Sequence, residues 1–191
     1  MASNPVTKVT EEQYLALDRA AEVRSEFVDG EMWAMSGASL AHARLQLNLY
    51  NELQPSLRER GCEVLPSDFR VRVASRMYVY PDVTIVCGKP KLADERQDIL
   101  LNPAVIFEIL SPSTEQYDRG VKFQHHRGIE SLKEYVLVEQ DRVLIEQYTR
   151  GGDGSWTLRD YRRLEDELKL DSIGVSLPIA RIYDRVDLPA S

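Results

Sequence analysis

Apolar and polar positions recur along this chain with two different periods, and the changes of period divide it into elements. Near the start, Tyr14, Leu15 and Leu17 follow Thr10 and the acidic pair Glu11 and Glu12. A capping hydroxyl followed by acidic first-turn residues predicts a helix beginning there. The segment "FVDGEMWAM" predicts a hairpin, because Asp29-Gly30 is a turn dipeptide between two short apolar runs. From Ser39 to Arg60, the positions Leu40, Ala43, Leu47, Tyr50, Leu53 and Leu57 fall near a period of 3.6 and predict the clearest helix. Gly61 is placed to stop it, and Pro55 to kink its last turn.

The period then changes to two. In "FRVRVAS", Phe69, Val71 and Val73 alternate with Arg70 and Arg72, and "MYVYPDVTIVC" follows directly. This reads as a hairpin entering a central strand, with Arg70 and Arg72 on a solvated face and Tyr78 and Tyr80 in sheet packing. A polar connection from Gly88 to Pro103 leads to "AVIFEIL", short and apolar enough to be buried on both faces. Pro112 is expected to end that strand, and Ser113 or Thr114 to cap a helix running from about Thr114 to Arg127. "EYVLVEQ" and "VLIEQYTR" predict two strands, "GGDGS" a tight turn and "WTLRDYR" a further strand; the remainder predicts a strand and a short helix. A buried strand, a helix and another strand make a right-handed crossover, so the order predicts an α/β or α+β layer with a mixed central sheet.

Composition bounds the alternatives. The chain has 191 residues, 43% hydrophobic and 29% charged, which suits one domain over 1–191 with its core at about 39–150. No apolar run approaches a membrane span, and Met1 to Thr10 carry no secretory signal pattern. Cys62 and Cys87 suggest neither a disulfide framework nor a zinc site, so a reducing, cytoplasmic location is expected. The net charge of −7 argues against a passive nucleic-acid coat. It leaves room for an enzyme with a local basic rim and metal-binding carboxylates.

Two carboxylates stand in apolar strands: Asp82 in "YVYPDVTIVC" and Glu108 in "AVIFEIL". Burying an ionised carboxylate is costly unless it is paired or bound to metal. Taken singly, Asp82 is accounted for by a strand edge at Pro81, and Glu108 by an arginine on a neighbouring strand. On adjacent strands the two converge, and Mg²⁺ takes one or two carboxylates together with water and phosphate oxygens. Thr114, Asp118, Lys122 and His126 are spaced by four and form one helical stripe. Asp118 and Lys122 read either as an exposed ion pair or as a cation placed beside the carboxylates. His125 and His126 are adjacent and do not form a metal pair at helical spacing. There is no phosphate-cradling glycine loop and no Gly-x-Ser-x-Gly elbow, which sets aside P-loop and serine chemistry.

"YPDVTIV", "VIFEILSPST" and "YDRGVKFQHHRGIESLKEYVLVEQD" together resemble the Uma-two family of restriction-endonuclease-like proteins, within the PD-(D/E)XK nuclease superfamily. The similarity extends to "EEQYLAL", "SEFVDGEMWAMSGASLAHARL" and "GVSLPIARIY", roughly residues 8 to 185. The resemblance implies an α/β restriction-endonuclease-like core, a mixed central sheet flanked by helices, with an N-terminal helix and hairpin. It implies Asp82 and Glu108 as ligands of a divalent metal and Lys122 as the catalytic lysine. The superfamily pattern places lysine two residues after the glutamate, where this chain has Leu110; the family supplies it from the following helix. Where the family usually has tyrosine, four residues after that lysine, this chain has His126. Glu26 and His42 match further recurrent polar positions and are candidate catalytic residues, or else a surface charge and a helix-cap residue.

The expectation is therefore a Mg²⁺-dependent nuclease, with Mn²⁺ as an alternative metal, that hydrolyses DNA phosphodiester bonds. The backbone carbonyl of Ile109 is a further expected metal ligand. A nuclease fold that has lost catalysis and binds nucleic acid or another partner is one alternative, favoured by Leu110. A hydrolase of another phosphate ester is the other. Cutting a duplex calls for a homodimer, with Trp33 and Ile179 to Tyr183 as candidate interface residues.

Overall fold

The computed structural model describes residues 8–35, 37–111 and 115–188. Pro112, Ser113 and Thr114, expected to end a strand, cap a helix and begin the stripe, lie outside the described residues. Helix α1 (Glu11–Ala20) starts at a capping box, in which Thr10 Oγ1 accepts the Gln13 N–H and Gln13 Oε1 accepts the Thr10 N–H. Strands β1 (Ser25–Val28) and β2 (Glu31–Ala34) form the expected hairpin. Its two turn residues both need positive φ, +49° at Asp29 and +97° at Gly30. A Cβ at Gly30 would also lie 3.0 Å from Lys8 Cβ, so glycine is required twice over.

Helix α2 (Leu40–Arg58) is capped by Ser39 and runs on through Pro55; Gly61 follows it at φ +64°. Its buried row is Leu45, Leu49, Leu53 and Leu57, whereas Leu40 and Leu47 are 64% and 58% exposed. The expected apolar row is thus displaced around the helix. A helix with this many leucines shows helical periodicity on more than one side, and the row chosen is the one flanking the polar residues that α2 turns toward the sheet.

The chain then builds β3 (Cys62–Leu65), β4 (Arg70–Ala74), β5 (Met77–Val79), β6 (Val83–Cys87), β7 (Ile99–Leu100) and β8 (Val105–Leu110). Helix α3 (Glu115–Tyr117) passes through a π turn (Asp118–Lys122) into α4 (Phe123–His126). After it come β9 (Glu134–Glu139), β10 (Ile145–Arg150), β11 (Trp156–Tyr161), β12 (Glu167–Leu170), β13 (Val175–Pro178) and α5 (Ile179–Ile182). The C-terminal segment contains a hairpin where one strand was expected.

A six-stranded mixed sheet, ordered β11-β10-β9-β8-β6-β3, forms the centre. Strands β8 and β9 are parallel, joined by the helical crossover, and their other neighbours in the sheet are antiparallel. A second sheet, ordered β2-β1-β5-β4-β7, packs beside it, with β7 drawn from the connection read as merely polar. Strands β5 and β6 belong to different sheets, so the chain crosses between sheets at Tyr80, Pro81 and Asp82.

Alternation on β8 serves two cores. Phe107 and Ile109 join α2, β6 and the C-terminal elements; Ile106 and Leu110 join Val71, Val79, Phe123 and Tyr135 on the other face. Ile179, Ile182 and Tyr183 are buried in the first core, whereas Trp33 is 61% exposed.

Two sequence readings are corrected here. Cys62 and Cys87 stand directly opposite each other on β3 and β6 and form a disulfide. That pairing removes the cysteine argument for a reducing compartment. Arg70 is not on a solvated face: it is 3% exposed, and its guanidinium meets Asp18 at 2.6 Å and the Tyr80 hydroxyl at 2.9 Å. Asp18 of α1 and Tyr80 cover Arg70, whereas Arg72 on the same face of β4 remains 36% exposed. Among the described residues, no helix is long and apolar enough to cross a membrane.

Candidate active site

Glu108 enters the second core on the face of β8 opposite Phe107 and Ile109, and is buried. The register pairing Val83 with Phe107 and Thr84 with Ile106 places Asp82, one residue before β6, alongside Glu108. Asp82 Oδ2 accepts the Ile109 N–H at 2.7 Å. The contact Ile109 makes here is thus through its N–H.

Helix α2 fixes the rest of Asp82. His42 Nε2 lies 2.9 Å from Asp82 Oδ1, and Gln46 Nε2 and the Tyr50 hydroxyl each donate to the Asp82 carbonyl at 2.9 Å. His42, Gln46 and Tyr50 are spaced by four, so one helical row grips one aspartate. His42 is therefore more than a cap residue: Ser39 makes the cap, through the His42 backbone N–H. Burial, followed by the nearby Asp82 charge, pushes the Tyr50 phenol up to about 12. Sequence reading missed Gln46 and took Tyr50 for an apolar position; their spacing from His42 was the available signal.

The π turn delivers the cation. Lys122 Nζ lies 2.9 Å from Glu108 Oε1, 3.0 Å from Glu26 Oε1 and 3.5 Å from Asp118 Oδ1. The Asp118–Lys122 pair, read as exposed when taken as an ordinary i,i+4 contact, is buried at both ends. Glu26 comes from the hairpin face opposite Phe27, so the second sheet contributes directly to the cluster. Burial opposes charge on Lys122, but Glu108, Glu26 and Asp118 outweigh it and hold the ammonium well above the ordinary lysine range. Burial raises Glu108 well above the carboxylate range against the attraction of Lys122, and Asp118, Asp82 and Glu26 add to the rise.

His126 is fully buried beneath the cluster, with Nδ1 2.7 Å from the Lys122 carbonyl. Burial first, and then the Lys122 charge, hold its pKa down to about 3. An unfolded histidine binds a proton near pH 6.5, so the unfolded chain carries more protons between the two values and stability rises with pH across that window. The contribution is complete above about pH 6.5 and lost progressively as pH falls, by about 2 kcal/mol at pH 5. Urea unfolding at pH 8 and pH 5 should show that loss in the wild type and not in His126→Phe. Equal losses in the two proteins would refute the assignment.

Asp82, Glu108, Lys122, Glu26 and His42, drawn from two sheets and two helical segments, thus meet at the seam where the chain crosses between sheets. The architecture places the protein among restriction-endonuclease-like folds. It is similar to the crystal structure titled as a "putative nuclease belonging to DUF820" from Anabaena variabilis, with a TM-score of 0.76, 16% identity and coverage of 92% of this chain and 97% of that one. Residues 11–180 match the Uma2 family, described as "Putative restriction endonuclease", and the chain belongs to that family. Two uncharacterized proteins of Synechocystis sp. are similar along most of their length. One is 38% identical over 156 residues, covering 81% of this chain and 88% of the relative. The other is 34% identical over 182 residues, covering 95% and 94%.

Proposed function

We propose that this protein is a divalent-cation-dependent nuclease that hydrolyses phosphodiester bonds of DNA. The observation that carries the reading is the lysine ammonium 2.9 Å from Glu108, on a strand whose neighbour brings Asp82 alongside, in a chain of this family.

The donor set fits a hard cation. Asp82 and Glu108 offer carboxylate oxygens, and the buried cluster holds more carboxylates than its one lysine balances. Among the described residues, no group of three or more His, Cys, Asp or Glu side chains forms a metal cage. A two-carboxylate site suits Mg²⁺ or Mn²⁺, which retains waters and shares substrate oxygens. Bound there, the cation would supply Lewis-acid stabilisation of charge on phosphoryl oxygens.

The protein's own groups divide the remaining work. His42, Gln46 and Tyr50 hold Asp82 in one orientation. Glu26 and Asp118 hold the Lys122 ammonium, which offsets negative charge growing on the phosphate in the transition state. Water attacks phosphorus and the ester oxygen leaves with a proton, so no covalent enzyme intermediate is needed. Leu110, which favoured a fold without catalysis, is buried in the second core, and Lys122 reaches Glu108 from the helix instead.

Supercoiled plasmid incubated with Mg²⁺ or Mn²⁺ should be nicked, and EDTA should stop the reaction. Asp82→Ala and Glu108→Ala should each lower the rate by about 100-fold or more, the scale expected for loss of a transition-state electrostatic group. Nicking by Asp82→Ala at the wild-type rate would overturn the assignment.

A further inference from the structure

Tyr117 ends α3 and leads into the π turn, one residue before Asp118 and five before Lys122. Its ring packs against the second core. Its hydroxyl oxygen is shielded from solvent and has no hydrogen-bond partner among the described residues. A buried hydroxyl left without a partner is destabilising, and native structures retain few of them. The cost is avoided if the missing partner arrives with a ligand.

The surroundings define that partner. Burial, and then the charge of Glu26, raise the phenol's pKa, so the group is a hydrogen-bond donor and not a base. Lys122, Asp118 and Glu108 also act on it electrostatically. The carboxylates of Glu26 and Glu108 are turned toward the Lys122 ammonium. What is missing is an acceptor beside a cation, which describes a phosphate oxygen.

We infer that the Tyr117 hydroxyl is a further substrate-binding group of this site, donating a hydrogen bond to a non-bridging oxygen of the bound phosphate. The inference rests on the nuclease reading and adds a residue to it. A tyrosine in this role senses the phosphate and not the base, so its contribution is the same for any DNA sequence.

The test is Tyr117→Phe, which keeps the ring and removes only the oxygen. Three measurements are made on the wild type and the variant: melting temperature without DNA, affinity for an unmodified DNA duplex in Ca²⁺, and plasmid nicking in Mn²⁺. The variant should melt at or above the wild-type temperature, because an unpartnered polar atom has gone. It should bind the duplex about tenfold more weakly, a loss typical of one hydrogen bond to a charged group. It should also nick at least tenfold more slowly.

Unchanged affinity and rate would overturn the inference and assign the hydroxyl to a water. A variant that melts several degrees lower would make the group structural and overturn it equally. A wild type that binds DNA without nicking would end the nuclease reading alone, and weaker binding by the variant would still support the tyrosine's role. A wild type that binds no DNA would end both.

Discussion

Replacing Lys122 with methionine is expected to lower the unfolding free energy by about 3–5 kcal/mol at neutral pH, the scale for removing one partner of a buried ion pair. Methionine fills much of the same space, so little of the loss comes from a cavity. The cost arises from the carboxylates of Glu26, Glu108 and Asp118, which would be left around an apolar tip. Glu108, already raised by burial, would lose the opposing Lys122 charge and hold its proton still more tightly in the folded protein than in the unfolded chain. The variant's deficit should therefore narrow as pH falls from 8 to 5. Nicking should fall by about 100-fold or more, because the group facing the developing phosphate charge is lost. Urea unfolding across that pH range is the check. A deficit below about 1 kcal/mol, the scale of an exposed pair, would contradict the burial of the ammonium.

Arg70→Met is expected to have a similar effect on stability and a different effect on chemistry. Asp18 is fully buried, and the partners of its carboxylate besides Arg70 are the Ser25 N–H at 2.6 Å and the Tyr80 hydroxyl at 2.5 Å. Neither carries the charge needed to balance it, so about 3–5 kcal/mol should be lost. Adding Asp18→Asn removes the unbalanced charge and should recover part of that loss. Arg70 is not among the cations facing Glu108, so the folded fraction of Arg70→Met should nick at a rate near that of the wild type. Urea unfolding of the single and double variants, with nicking rates corrected for folded fraction, decides the matter. A double variant no more stable than Arg70→Met would mean that the guanidinium acts by packing and not by charge.

Strands and carboxylates were legible for the same reason. A charge inside "AVIFEIL" or beside "VTIVC" contradicts its surroundings, and the contradiction is visible without coordinates. Glu26 and His42 were different: a glutamate on a short hairpin and a histidine near a helix start contradict nothing, and only the family resemblance marked them. Asp118 and Arg70 were misread because alternation and i,i+4 spacing report which residues share a side, not whether that side meets water. Asp118 is buried beside Lys122, which Glu26 of the second sheet reaches, and Arg70 is buried beside Asp18 of α1. Both are long-range events. The same limit displaced the apolar row of α2, where the leucines permitted more than one rotation and the grip on Asp82 accompanies only one.

The seam between the sheets has a consequence for how the molecule fails. Glu26 is carried by a small N-terminal unit whose own core is little more than Tyr14, Phe27, Tyr78 and Ile99. Asp82 and Glu108 are rooted in the much larger core of the central sheet. Cooperative units with few buried contacts open at lower free energy than the rest of a protein. When the hairpin detaches, one of the three acids holding the lysine leaves with it, while the paired central strands stay in register. Amide exchange should accordingly be faster at Phe27 and Val28 than at Phe107 or Val136. Between those two rates lies a population that is folded by any measure of its central sheet, yet carries a dismantled site.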